Sequence, residues 1–154
     1  MALTASSPNF NEDRLISGRV VTGRKLGRQL GFPTANIDAN VNGLVNGVYG
    51  VVAELRETKY LGVMNIGVKP TVDSNLQKTT EIFLLDFNDN IYGEYLVCEL
   101  LFKIREERKF ASLELLKQQI KEDILYAKER FKLTGITTKS EQNYFTEKRV
   151  FKSS

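Results

Sequence analysis

A chain of 154 residues is long enough for one domain with its own core, and 42% apolar and 27% charged side chains place it among ordinary globular proteins. It has no histidine and a single cysteine, Cys98, which excludes histidine triads, HExxH zinc sites, internal disulfides and Cys-rich zinc clusters. The net charge of +3 gathers late: residues 101–154 carry 13 basic and 8 acidic side chains against 9 and 11 in residues 1–100, a slope that a solvated basic helix or a polyanion-binding face would equally produce.

A general base must then be Asp, Glu, Lys, Tyr or water, and a bound metal must take oxygen ligands, which favours a hard ion such as Mg²⁺. The polar start, Met1 to Asn11, has neither a basic nor an apolar stretch of the kind that directs secretion, and no apolar run is long enough to cross a bilayer. A cytoplasmic protein is expected, with residues 1–14 as a flexible lead.

From Leu15 onward, β-branched and aromatic runs are cut by Gly, Asn and Asp, and five of them read as strands: Leu15–Val21, Gly47–Leu55, Tyr60–Ile66, Thr80–Asp86 and Tyr95–Ile104. In the last, Leu96, Cys98, Leu100, Phe102 and Ile104 alternate with their neighbours, the period of two of a strand with one buried face. Asn88-Asp89-Asn90 reads as a hairpin turn between two runs. Short connections imply an antiparallel sheet, and closure into a barrel would remove its exposed edges. After Phe110 the period lengthens: Leu113, Leu116, Ile120, Ile124, Ala127 and Phe131 predict one amphipathic helix, with Ser112 as N-cap and Gly135 as stop. Residues 136–154 form a polar basic tail without a clear period.

Chemistry concentrates after the first strand, in Gly23-Arg24-Lys25-Leu26-Gly27-Arg28-Gln29-Leu30-Gly31-Phe32-Pro33-Thr34-Ala35-Asn36. Glycines let backbone N–H groups approach phosphate oxygens while guanidinium groups neutralise charge; a surface turn with solvated arginines has the same composition. It is neither a Walker A loop nor a Rossmann loop. Thr34 and Asn36, two apart in an extended segment, point the same way, so a hydroxyl and an amide oxygen can reach one cation whose remaining ligands come from phosphates.

This stretch, from Gly18-Arg19-Val20-Val21 onward, resembles the signature of the riboflavin kinase family, as do Asn46-Gly47-Val48-Tyr49-Gly50, Gly62-Val63-Met64-Asn65-Ile66-Gly67 with Pro70-Thr71, Tyr92-Gly93, and Ile104-Arg105-Glu106-Glu107-Arg108-Lys109-Phe110. The blocks run in the family's order over about residues 15 to 131, and they are especially similar to the monofunctional, regulatory members of bacilli and the kinase module of bacterial bifunctional FAD synthetases. The resemblance implies a mainly β fold, a six-stranded antiparallel closed barrel with a C-terminal amphipathic helix over residues 15–135. It implies phosphorylation of riboflavin by ATP to give FMN and ADP, with Mg²⁺. Glu81 is implied as the base, which the residues alone would leave an exposed strand glutamate. Thr34 and Asn36 are implied as metal and ATP ligands, Gly23, Arg28 and Tyr92 as further ATP contacts, and Arg105, Arg108 and Phe110 as flavin contacts.

Phe83 departs from the pattern, standing where many relatives have histidine. With only about 14 residues ahead of the match, FAD synthesis is expected to be absent. A monomer binding small molecules and no membrane is expected. The alternative is a flavin- or FMN-binding regulatory module that contacts RNA or a protein partner through its basic C-terminal part.

Overall fold

The computed structural model of the chain describes residues 14–21, 31–70, 73 and 75–135. Gly23 and Arg28, Thr71, most of the N-terminal lead and the tail from 136 onward lie outside the described residues. Six strands follow in order: β1 (Leu15–Val21), β2 (Ala35–Asp38), β3 (Gly47–Leu55), β4 (Thr58–Pro70), β5 (Leu76–Leu84) and β6 (Tyr95–Arg105). One helix, α1 (Leu113–Leu133), comes after them. All pairings are antiparallel and the sheet closes on itself in the order β1-β2-β5-β4-β3-β6. The six-stranded barrel and the terminal helix are those the resemblance implied. The sixth strand, β2, has only four residues, too short to show a period of its own.

Alternation decides what fills the barrel. Ile16 and Val20 of β1, Ile37 of β2, Val51 and Ala53 of β3, Met64 and Ile66 of β4, Ile82 of β5, and Leu96 and Cys98 of β6 all point inward and are buried. A second apolar cluster lies outside the barrel. There Ala127 and Phe131 of α1 pack on Leu61 and Leu85, with Val52, Val63, Phe83, Phe102 and Ile104 around them. Burying a side chain the size of Phe131 stabilises the fold by roughly 2–3 kcal/mol.

Three expectations are corrected. The first concerns Asn88-Asp89-Asn90, which does not turn a hairpin: β5 pairs with β2 and β4, β6 with β1 and β3, and the segment crosses from one position in the barrel to another. Side chains of the segment cap its own backbone, since Asn90 N–H donates to Asp89 Oδ1 at 2.8 Å and Tyr92 N–H to Asn90 Oδ1 at 2.9 Å, but none of its residues takes the left-handed angles of a tight hairpin and barrel closure chose the strand partners. The second concerns Phe102 and Ile104, which leave the face of Leu96 and Cys98: the β3–β6 register shifts between Gly50 and Val51 and again between Val48 and Tyr49, and each extra residue changes the face of those beyond it. Phe102 thereby lies over Gly50, where its ring fills the space a Cβ would need, and meets Phe131 with ring centroids 5.2 Å apart. The third concerns Leu113, which is 49% exposed, so the first turn of α1 contributes little to the buried stripe.

The helix ends behave as read. Ser112 Oγ accepts from Leu115 N–H at 3.2 Å, and Gly135 follows the last turn with φ of 77°. Among the described residues no helix is long and apolar enough to cross a membrane.

Candidate active site on the outer face of the barrel

Ile37 of β2, Met64 and Ile66 of β4 and Ile82 of β5 point inward, so the polar residues beside them on these strands are turned outward together. Ala35 and Ile37 pack into the core, which turns Asn36 out, and Thr34 with it. Asn36 pairs across the sheet with Glu81, and Glu81 pairs on its other side with Asn65. Three strands thus set Asn36, Glu81 and Asn65 in one row, with Thr34 at its edge. Lys69, further along β4 on the same face, places Nζ 2.8 Å from Glu81 Oε1. This ion pair is partly exposed, 35% at Lys69 and 24% at Glu81. Its ammonium gives the carboxylate a fixed direction. Asn65 Oδ1 is closed off from solvent and has no hydrogen-bond partner.

Phe83, two residues on from Glu81, is also outward and meets Phe32 edge-on with centroids 5.8 Å apart. The residue that departs from the family pattern therefore has a packing role: it ties the chain emerging from residues 22–30 to the sheet beside Glu81.

A wall rises on the opposite side from the segment between β6 and α1. Arg105 donates from Nε and Nη2 to the carboxylate of Asp123, at 2.9 to 3.1 Å, and from Nη1 to Glu106 O at 3.0 Å. Asp123 is buried, so this two-pronged pair pins α1 to β6. The guanidinium groups of Arg105 and Arg108 stand 5.5 and 4.8 Å from the centre of the Phe110 ring, and Arg108 also donates to Gln119 Oε1. Next to this cluster, the Glu107 carboxylate reaches Gly67 of β4 and occupies the space a Cβ there would take. Gly67 pairs with Thr79, one step along the same face from the Asn65–Glu81 pair. The Arg105–Phe110 segment thus borders the row.

Tyr92 stands at the exit of β1. Gly93 N–H donates to Val20 O at 3.0 Å and Glu94 O accepts from Val20 N–H at 2.8 Å, which fixes the backbone next to Tyr92 against β1, while its side chain is 63% exposed.

The structure thus brings Thr34, Asn36 and Glu81 together, borders them with Arg105, Arg108 and Phe110, and places Tyr92 beside the end of β1; Gly23 and Arg28 lie outside the described residues. Sequence reasoning assigned no role to Lys69, Asn65 or Asp123. Asp123 left a trace, an acid three residues from both Ile120 and Tyr126 in the helix, but Lys69 and Asn65 could be tied to Glu81 only through the strand register.

Comparison with known proteins identifies the family and agrees with the fold. A family model for riboflavin kinases, Flavokinase, matches residues 11–131. The chain is 60% identical over 122 residues to the RNA-binding riboflavin kinase RibR of Bacillus subtilis, covering 79% of this chain and 53% of that protein. It is 48% identical over 121 residues to the bifunctional riboflavin kinase/FMN adenylyltransferase of Escherichia coli K12, covering 77% of this chain and 38% of that protein. The chain therefore spans about half or less of the length of these relatives. Among solved structures, riboflavin kinase from Trypanosoma brucei superposes with a TM-score of 0.55 at 28% identity, covering 77% of this chain and 79% of the other.

Proposed function

As this chain belongs to the riboflavin kinase family, we propose that it transfers the terminal phosphoryl group of ATP to the terminal hydroxyl of the ribityl chain of riboflavin, giving FMN and ADP. The observation that carries this reading is the cross-strand pairing of Asn36 with Glu81, which sets a metal-competent amide and a carboxylate base side by side on one rigid sheet.

The attacked phosphorus is surrounded by oxygens that are already charged, so catalysis consists mainly of positioning and charge stabilisation. Glu81 orients the attacking hydroxyl and accepts its proton; Lys69 holds the carboxylate in place. Thr34 and Asn36 offer neutral oxygens, and no cluster of three or more acidic or cysteine ligands occurs among the described residues. That donor set fits Mg²⁺, which takes few protein ligands and completes its shell with phosphate and water; when bound, it supplies charge neutralisation on the phosphates. Gly23 and Arg28 approach the phosphates, Tyr92 borders the nucleotide, and the isoalloxazine lies against Arg105, Arg108 and Phe110. The working unit is a monomer.

The alternative reading adds RNA contact through the basic C-terminal part, supported by the late excess of Lys and Arg and by the similarity to the Bacillus relative, an RNA-binding riboflavin kinase. Such binding would weaken steeply with salt, whereas riboflavin turnover would not. The test of the kinase reading follows the label: ATP labelled at its terminal phosphate should yield labelled FMN with the intact protein and far less with Glu81→Gln. Equal labelling by both would remove Glu81 from the reaction, and unlabelled products with both would remove the kinase reading.

A further inference from the structure

Among the described residues, three buried side-chain oxygens lack a hydrogen-bond partner, those of Asn46, Asn65 and Thr80. Thr80 lies between two outward positions of β5 and faces the barrel interior, and Asn46 precedes β3. Only Asn65 is paired across the sheet with Glu81. A buried amide oxygen without a donor is costly to the fold, and such an orphan calls for an explanation, a catalytic or binding role among them. Met64 and Ile66 are fully buried in the core on either side of it, so Asn65 faces outward by alternation, in the row that holds Asn36 and Glu81. The Glu107 carboxylate, against Gly67 two residues further along the same face, brings the Arg105–Phe110 segment to the border of this part of the sheet.

Resting on the kinase reading, we infer that Asn65 is a substrate-binding residue whose side-chain amide holds a hydroxyl of the ribityl chain, one that precedes the terminal hydroxyl addressed by Glu81. A polyol suits the position better than the other candidates. A hydroxyl both donates and accepts, so it satisfies an amide oxygen and can turn to an amide N–H as well. A phosphate oxygen offers no proton to the orphaned acceptor. A cation is drawn to the opposite side of Glu81, where Thr34 and Asn36 supply a pair of oxygens. Asn65 thereby selects flavins with a hydroxylated side chain and fixes the chain that Glu81 acts upon.

The test compares intact protein with Asn65→Leu, which keeps the volume, and with Asn65→Ala should the first variant fold poorly. The measured quantities are kcat/KM for riboflavin, KM for ATP, riboflavin affinity by flavin fluorescence with MgADP present, and the thermal midpoint. A second substrate, a flavin with an ω-hydroxypentyl chain, keeps the terminal hydroxyl and lacks the others. Losing one neutral hydrogen bond corresponds to roughly a five- to tenfold change. The variant should therefore lose five- to tenfold in kcat/KM and in affinity for riboflavin, keep its KM for ATP, and show no lower thermal midpoint, since the orphan is gone. It should lose nothing further with the hydroxypentyl flavin, to which the wild type is already weakened. Unchanged riboflavin parameters would overturn the inference; so would an equal loss with both flavins, a shift confined to ATP or Mg²⁺ dependence, or a lowered midpoint with general loss of activity. If the wild type makes no FMN yet binds riboflavin more tightly than the variant does, the kinase reading falls and the role of Asn65 stands. A wild type that neither makes FMN nor binds riboflavin sinks both.

Discussion

Glu81 carries the proposed proton transfer, and its surroundings separate its chemical role from a structural one. The Lys69 contact is partly exposed, and such pairs stabilise a fold by no more than about 1 kcal/mol. Lys69→Met should therefore shift stability by less than about 1 kcal/mol in urea unfolding, yet lower kcat on the order of tenfold, because a freed carboxylate samples unproductive directions. Glu81→Gln should fold and bind ATP while kcat falls by ~10² to 10⁴; a wild-type rate would contradict the assignment. Cys98 offers a contrast. Burial in the barrel pushes its thiol up to about 12, so it stays protonated and enclosed, and alkylation by iodoacetamide near pH 8 should be undetectable in the native protein and rapid in denaturant. At this scale Thr34, Asn36 and Glu81 were legible because a motif of neighbouring letters, or a family match, points to them. Lys69 and Asn65 were not: their closeness to Glu81 depends on how β4 lies against β5, a pairing between letters 12 and 16 positions apart in the chain.

Strands and turns show the same division between local and long-range information. β1 and β3 have the ends their apolar runs suggested. The β3–β4 hairpin did not announce itself, because its two turn residues are Arg56 and Glu57, both left-handed with φ of 49° and 66°, where Asn-Gly would be the ordinary choice. Arg56 compensates by pairing with Glu94 on the neighbouring connection, with its Nε 2.9 Å from Glu94 Oε1. Relieving the left-handed strain at the second position alone keeps that pair, so Glu57→Gly should stabilise the protein by about 0.5 kcal/mol in chemical denaturation; a loss of stability would mean that the turn carries no strain there. The pinning of α1 gives the opposite sign. Asp123→Ala strands the guanidinium of Arg105 at the edge of the second cluster and should cost about 3 kcal/mol. Riboflavin affinity should drop as well, since Arg105 and Phe110 form the wall against which the flavin is proposed to lie.

For the molecule as a whole, closure is the organising fact. β1 joins β6 with partners running from Leu15–Glu99 to Arg19–Tyr95, so the first and last strands complete one sheet and the row on β2, β5 and β4 is held by a ring without edges. The wall beside that row comes from the segment after the last strand, fixed by the helix through Arg105 and Asp123. One site is thus assembled from residues as far apart as Thr34 and Phe110. Composition and periodicity indicated an antiparallel β domain with one helix, and the family resemblance added the strand count. The strand order could not be read from adjacent letters, because β5 and β6 are neighbours in sequence and not in the barrel. All described strands and the helix fall within residues 15–135, and under the proposed function a chain ending at Gly135 is expected to keep the thermal midpoint and form FMN as the full chain does, as differential scanning fluorimetry and a turnover assay would show.

The most direct test of the central claim is chromatographic separation of FMN from riboflavin after incubating the purified chain with riboflavin, ATP and Mg²⁺, with EDTA in a parallel reaction. FMN that accumulates with Mg²⁺ and disappears with EDTA is the result predicted here. Folded protein that binds riboflavin and leaves it unphosphorylated under the same conditions would contradict it.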